Sequence, residues 1–94
     1  MKGVIILLKK GEVLAVVKSN GWLHNKDHPD SPDLDYALTE AKGYNGFITV
    51  SRIAWKGGSK LWKEQEVILA NVIRLHNKGW RATEARPFGE KDQD

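Results

Sequence analysis

SKLWKEQEVILANVIRLHNKG, residues 59–79, is the stretch whose reading decides the fold. Read with a helical period, Ser59 caps a long helix that runs to about Lys78. Leu61, Ile68, Leu69, Val72, Ile73 and Leu75 form its buried face. Lys60, Lys63, Asn71, Arg74, Asn77 and Lys78 form the outer one, and Gly79 is the C-terminal stop. A second, shorter helix is expected upstream. There Ser31 stands as N-cap, Pro32 at the first helical position, and Asp33 and Asp35 near the positive end of the dipole. Leu34, Ala37, Leu38 and Ala41 then fall on one stripe, and Gly43 ends the helix.

The rest of the chain reads as strands. Val4 to Leu8 and Val13 to Val17 are apolar, β-branched runs joined by Lys9-Lys10-Gly11-Glu12, whose glycine suits a tight turn. Both runs are apolar at consecutive positions, which implies cover on two faces, by central placement or by another subunit. Phe47 to Trp55 reads as a third strand after the Asn45-Gly46 turn, and Trp80 to Arg86 as a possible C-terminal edge strand. The expected fold is α+β, an antiparallel hairpin plus a third strand packed by two helices, in the order ββαβα. Residues 1–86 form one domain and 87–94 a flexible acidic tail.

Ninety-four residues suffice for one modest core and not for two. The chain has no cysteine, which removes disulfides, thiolate metal sites and a thiol nucleophile together. That composition suits a reducing compartment, and a cytoplasmic location is expected. The apolar run near Met1 is too short for a secretory signal, and no stretch is long enough for a membrane span. The net charge of +3 is uneven. Residues 27–41 carry Asp27, Asp30, Asp33, Asp35 and Glu40 with no base, within an otherwise basic body. A basic body permits nucleic acid, a nucleotide or an acidic protein as partner.

The sharpest local constellation is Trp55-Lys56-Gly57-Gly58-Ser59-Lys60-Leu61-Trp62-Lys63. Two glycines allow close backbone approach, and a helix N-terminus beginning here would favour an anion. Lys56, Lys60 and Lys63 add charge, and Trp55 or Trp62 offers a stacking surface. The spacing is not that of a Walker loop. The bland alternative is an ordinary turn and cap, solvated lysines and core tryptophans. Trp22, Trp80 and Arg81 form a second set, a combination enriched at protein-binding hot spots but equally suited to plugging a small core. His24, Asp27 and His28 could ligate a metal, but Pro29 and Pro32 make that segment a loop, in which the His spacing has no fixed geometry. No nucleophile elbow is present.

No known family is recognised in these motifs. In kind, the chain resembles the small accessory proteins of phages and plasmids, many of which sequester or inhibit a host component without catalysis. The resulting expectation is a non-enzymatic binding module without cofactor. It takes a phosphate-bearing ligand, nucleotide or nucleic acid, at the start of the second helix, and acts as a homo-oligomer. The alternatives are a protein-binding inhibitor or adaptor acting through exposed tryptophan and the acidic loop, and a small metal-dependent hydrolase.

Overall fold

The structure, a computed structural model, describes residues 8–58, 60–76 and 79–89. Five strands carry it: β1 Glu12–Val17, β2 Tyr36–Ala41, β3 Ile48–Ser51, β4 Glu66–Leu75 and β5 Gly79–Pro87. They close into a barrel in the order β1-β2-β3-β5-β4. β1 closes it by pairing antiparallel with β2 on one edge and with β4 on the other. The only parallel ladder described joins β3 to β5, with Ile48 beside Trp80 and Thr49 beside Arg81. A five-stranded Greek-key barrel of this order has the connectivity of the OB type.

The expected α+β architecture is therefore wrong. Among the described residues the only helical elements are two single 3-10 turns, Pro32–Leu34 and Arg52–Ala54. The expected first helix is that first turn followed by β2. Ser31 makes no side-chain cap bond, and the chain extends from Asp35 onward. In β2 the inward positions are Ala37 and Thr39, while Tyr36, Leu38 and Glu40 face outward. The apolar stripe that suggested a helix thus includes Leu38, which lies on the outer face. Inside, small residues are what a narrow barrel admits. The buried Thr39 hydroxyl donates to the Ile48 carbonyl at 2.9 Å, which satisfies it without water.

The expected second helix is β4. Val67, Ile68 and Leu69 are buried at three consecutive positions. Val67 and Leu69 join the interior, and Ile68 lies on the outer face beside Lys56, Ala70, Glu84 and Arg86. A β-branched run covered on both faces has no strand alternation, so a helical period fits it by accident. Gly79, with φ +77°, begins β5 of a β4–β5 hairpin and caps no helix. Ser59, Asn77 and Lys78 lie outside the described residues.

Of the N-terminal hairpin, β1 is present, and its described neighbours are β2 and β4. Val4 to Leu7 lie outside the described residues. The third strand is real but short, because Arg52–Ala54 turns before Trp55 bridges to Ala85. β5, expected as an edge, is interior to the sheet, paired with β3 and β4. It runs to Pro87, and residues 90–94 lie outside the described ones.

The barrel interior is Ala15, Val17, Ala37, Ile48, Val50, Val67, Leu69, Ala82 and Ala85. Larger rings close the two ends. Trp55, Trp22 and Leu61 pack where β1 and β3 finish, with the two indoles edge to face at 6.1 Å. Trp80 and Tyr44 pack edge to face at 5.0 Å where β5 begins.

Candidate functional site: an open sheet face with a half-buried arginine

The outer face of β2, β3 and β5 is concave and lies under the long β1–β2 connection. Antiparallel register sets Tyr36 beside Ser51, and parallel register sets Thr49 beside Arg81. These four side chains form the floor. His24, Asn25, Lys26, Asp27 and His28 form one wall, and Leu75 and Trp80 help close the other side. The open depression measures about 530 Å³.

The wall is held by its own hydrogen bonds. Leu23 and Tyr36 exchange backbone bonds at 2.7 and 3.0 Å, which ties the loop to the start of β2. Asn25 reaches back through Nδ2 to the Leu34 carbonyl at 3.1 Å, and its Oδ1 accepts from the Asp27 amide at 3.0 Å. Turns closed by His28 and Ser31 follow. A loop pinned at this many points presents a fixed surface.

Arg81 is the distinctive residue of the floor. Its Nη1 donates to Ser51 Oγ at 2.9 Å. Its Nε is buried without a hydrogen-bond partner among the described residues. Among the described residues no carboxylate lies within 4.0 Å of its guanidinium, whereas Arg86 has Glu12 at 2.7 Å. A half-buried guanidinium with unspent donors is suited to a planar or tetrahedral oxyanion. Lys26 on the wall adds charge of the same sign. Asp27 opposes it, and Asp35 stands 3.5 Å from His24 Nδ1. His24, Asp27 and His28 line one wall, but no cluster of three His, Cys, Asp or Glu capable of holding a metal occurs among the described residues.

The residues expected to bind at 55–63 do not form a single surface. Trp55 is only 8% exposed and lies in the core. Gly57 allows a close approach, but to the protein itself. A Cβ there would stand 2.6 Å from both Trp55 Cε2 and Pro87 Cγ. Gly58, at φ +80°, faces open space. Lys56 lies 4.0 Å from Glu84, Lys60 and Lys63 are exposed, and Ser59 is outside the described residues. Among the described residues no helix starts here, so no helix dipole supports an anion at that place. Trp62 is exposed, at 54%.

Trp22 and Trp80 are half-buried plugs. Arg52 sits over Trp22 at 5.6 Å. Arg74 sits over Trp80 at 5.2 Å, and Trp80 Nε1 donates to the Asn45 carbonyl at 3.2 Å. Of the Trp22, Trp80 and Arg81 set, Trp80 and Arg81 meet in the depression, and Trp22 lies at the opposite end. Tyr36, Thr49 and Ser51 were not singled out from sequence. The available signal was the strand alternation of Tyr36 to Ala41, which places Tyr36 on the outer face.

No helix among the described residues is long and apolar enough to cross a membrane. The chain matches no protein-family model, no curated protein and no solved structure.

Proposed function

We propose that this protein is a non-enzymatic module that binds single-stranded nucleic acid across the β2–β3–β5 face. The observation that carries the reading is the guanidinium of Arg81, without a carboxylate partner among the described residues, on the floor of an open sheet face. Arg81 and Lys26 supply contacts to phosphate. Tyr36 supplies a ring for base stacking, and Thr49 and Asn25 supply neutral polar contacts. Barrels of OB connectivity use this face and the β1–β2 and β4–β5 loops for oligonucleotides and oligosaccharides. That is an analogy of fold, and it adds to the residue argument without replacing it.

The phosphate-bearing ligand expected from sequence is kept, and its site moves from residues 55–63 to the sheet face. Self-association has weaker support than the sequence reading allowed. Barrel closure covers the inner face of β1, and Leu14 and Val16 on the outer face are already half-buried within one chain.

Fluorescence anisotropy with labelled oligo-dT and oligo-U, alongside a nucleoside triphosphate, tests the proposal. Tight oligonucleotide binding is expected, with log affinity falling linearly against log salt. Arg81→Gln should weaken it by roughly tenfold to a hundredfold, since it removes charge-assisted bonds worth about 1.5–3 kcal/mol. Absence of binding at low salt, or equal binding by Arg81→Gln, sinks the reading. Tight binding of the triphosphate alone would redirect it to a nucleotide.

A further inference from the structure

A second depression, of about 550 Å³, lies on the far side of the barrel. Its lining is Val16, Trp62, Glu64, Gln65, Glu66, Pro87, Phe88 and Gly89. Among the described residues no basic side chain lines it. We propose that this groove is a docking site for a basic, extended peptide segment of a partner protein, with an arginine or lysine side chain laid over Trp62 and paired to Glu66.

Two features make the groove more than a surface irregularity. The first is that Trp62 is both exposed and rigidly presented. It opens a tight turn in which the Gln65 amide donates to the Trp62 carbonyl at 3.2 Å. The Gln65 side chain, only 5% exposed, accepts from the Trp62 amide at 3.1 Å. The turn is anchored to β1, because the Glu64 amide donates to the Val17 carbonyl at 2.7 Å and Val17 donates to Gln65 at 2.9 Å. Trp55 and Trp22 pack into the barrel end, and nothing in the turn's own bonding requires an indole on its outside. The second feature is Glu64, which holds φ at +72°, a conformation that residues with a Cβ disfavour. The anchored turn maintains that conformation, and Glu64 lines the same groove as Trp62.

The charge pattern selects the occupant. Glu64 is paired to Lys18 at 3.2 Å, and Glu66 has no cation within 4.0 Å among the described residues. An apolar partner would strip water from Glu66 with nothing in return, and a nucleic-acid strand would meet two carboxylates. A cation over an exposed indole next to a free carboxylate satisfies both groups. The groove adjoins another depression, of about 490 Å³, that shares Val16 and Glu64 and adds Glu40 and Tyr44, along with Lys18 and Lys42. Opposite faces of one small barrel would then take opposite charges, so a basic partner and a nucleic acid need not compete.

The test is an amide and indole chemical-shift titration of the full chain with a short oligoarginine peptide, and with an oligoglutamate of the same length. The expected result is movement of the Trp62 indole N–H and the Glu64 to Glu66 amides by oligoarginine alone. Affinity should fall by about tenfold in each of Trp62→Ala and Glu66→Lys. Both positions are exposed, and circular dichroism checks that each variant folds. Oligonucleotide binding by Arg81 should be unchanged in both variants. Shifts that bypass Trp62, equal binding by oligoglutamate, or wild-type affinity in Glu66→Lys would each overturn the proposal.

Discussion

Replacing Gly57 by alanine separates a packing glycine from a ligand-binding one. The added Cβ would stand 2.6 Å from Pro87 Cγ and from Trp55 Cε2, well inside van der Waals contact. Neither neighbour is a flexible tip. Trp55 is in the core and Pro87 is buried in β5. Forcing a methyl into such a contact costs about 1–3 kcal/mol. Alanine also lowers the entropy of the unfolded chain, which returns about 0.4–1 kcal/mol. The net loss is on the order of 1–2 kcal/mol. A domain of this size unfolds with roughly 0.2 kcal/mol/K of entropy, so Tm should drop by about 5–10 °C. Differential scanning calorimetry measures it, and the tryptophan emission should shift as the Trp55 environment loosens. Oligonucleotide affinity of the folded variant should match wild type. An unchanged Tm with lost ligand binding would refute the packing role and restore Gly57 as a residue that clears space for a ligand.

The tryptophans supply a second contrast. Trp55→Ala should cost about 3–5 kcal/mol and leave little folded protein, whereas Trp62→Ala should stay within about 0.5 kcal/mol in urea melts. Acid stability is a third. The Arg86 hydrogen bond, reinforced by the Lys9 amide, holds the Glu12 carboxyl below its ordinary range. The same bond raises Arg86. Glu12 therefore contributes stability that is present above the unfolded carboxyl pKa, about 4.3, and is lost as pH falls through the lower folded value. Urea midpoints taken downward from about pH 6 should fall less steeply in Glu12→Gln than in wild type, and parallel slopes would show that the pair carries no linkage.

Strand identity was readable wherever the chain announced itself by composition or turn chemistry. Val13 to Val17 lies within β1, Ile48 to Ser51 within the expected third strand, and Trp80 to Arg86 within β5. The two missed strands failed for different reasons. In β2 the inward residues are alanine and threonine, so the larger Leu34 and Leu38 dominated the periodicity although they do not fill the barrel. In β4, Val67, Ile68 and Leu69 are covered on both faces, so the run loses the alternation that marks a strand. Its β-branched content and the Asn77-Lys78-Gly79 sequence were the counter-signals. Once β4 is read as a helix, the glycines before it look like an anion-binding entry, and the site moves with the error. Arg81 was singled out from sequence as a partner-binding residue. Its neighbours Tyr36 and Thr49 were not, because only the β2–β3 and β3–β5 registers bring them beside it.

The proposed placement of a nucleic-acid site on the sheet face is tested most directly by amide shift mapping of the full chain with a single-stranded oligonucleotide. Tyr36, Thr49, Ser51 and Arg81, with His24 to His28, should move together. The salt dependence of the same complex should flatten by about 0.7 in log–log slope when Arg81 becomes glutamine, the loss of one phosphate contact. Shifts concentrated on Lys56 to Lys63 with a silent sheet face, or a salt slope indifferent to Arg81, would contradict the assignment.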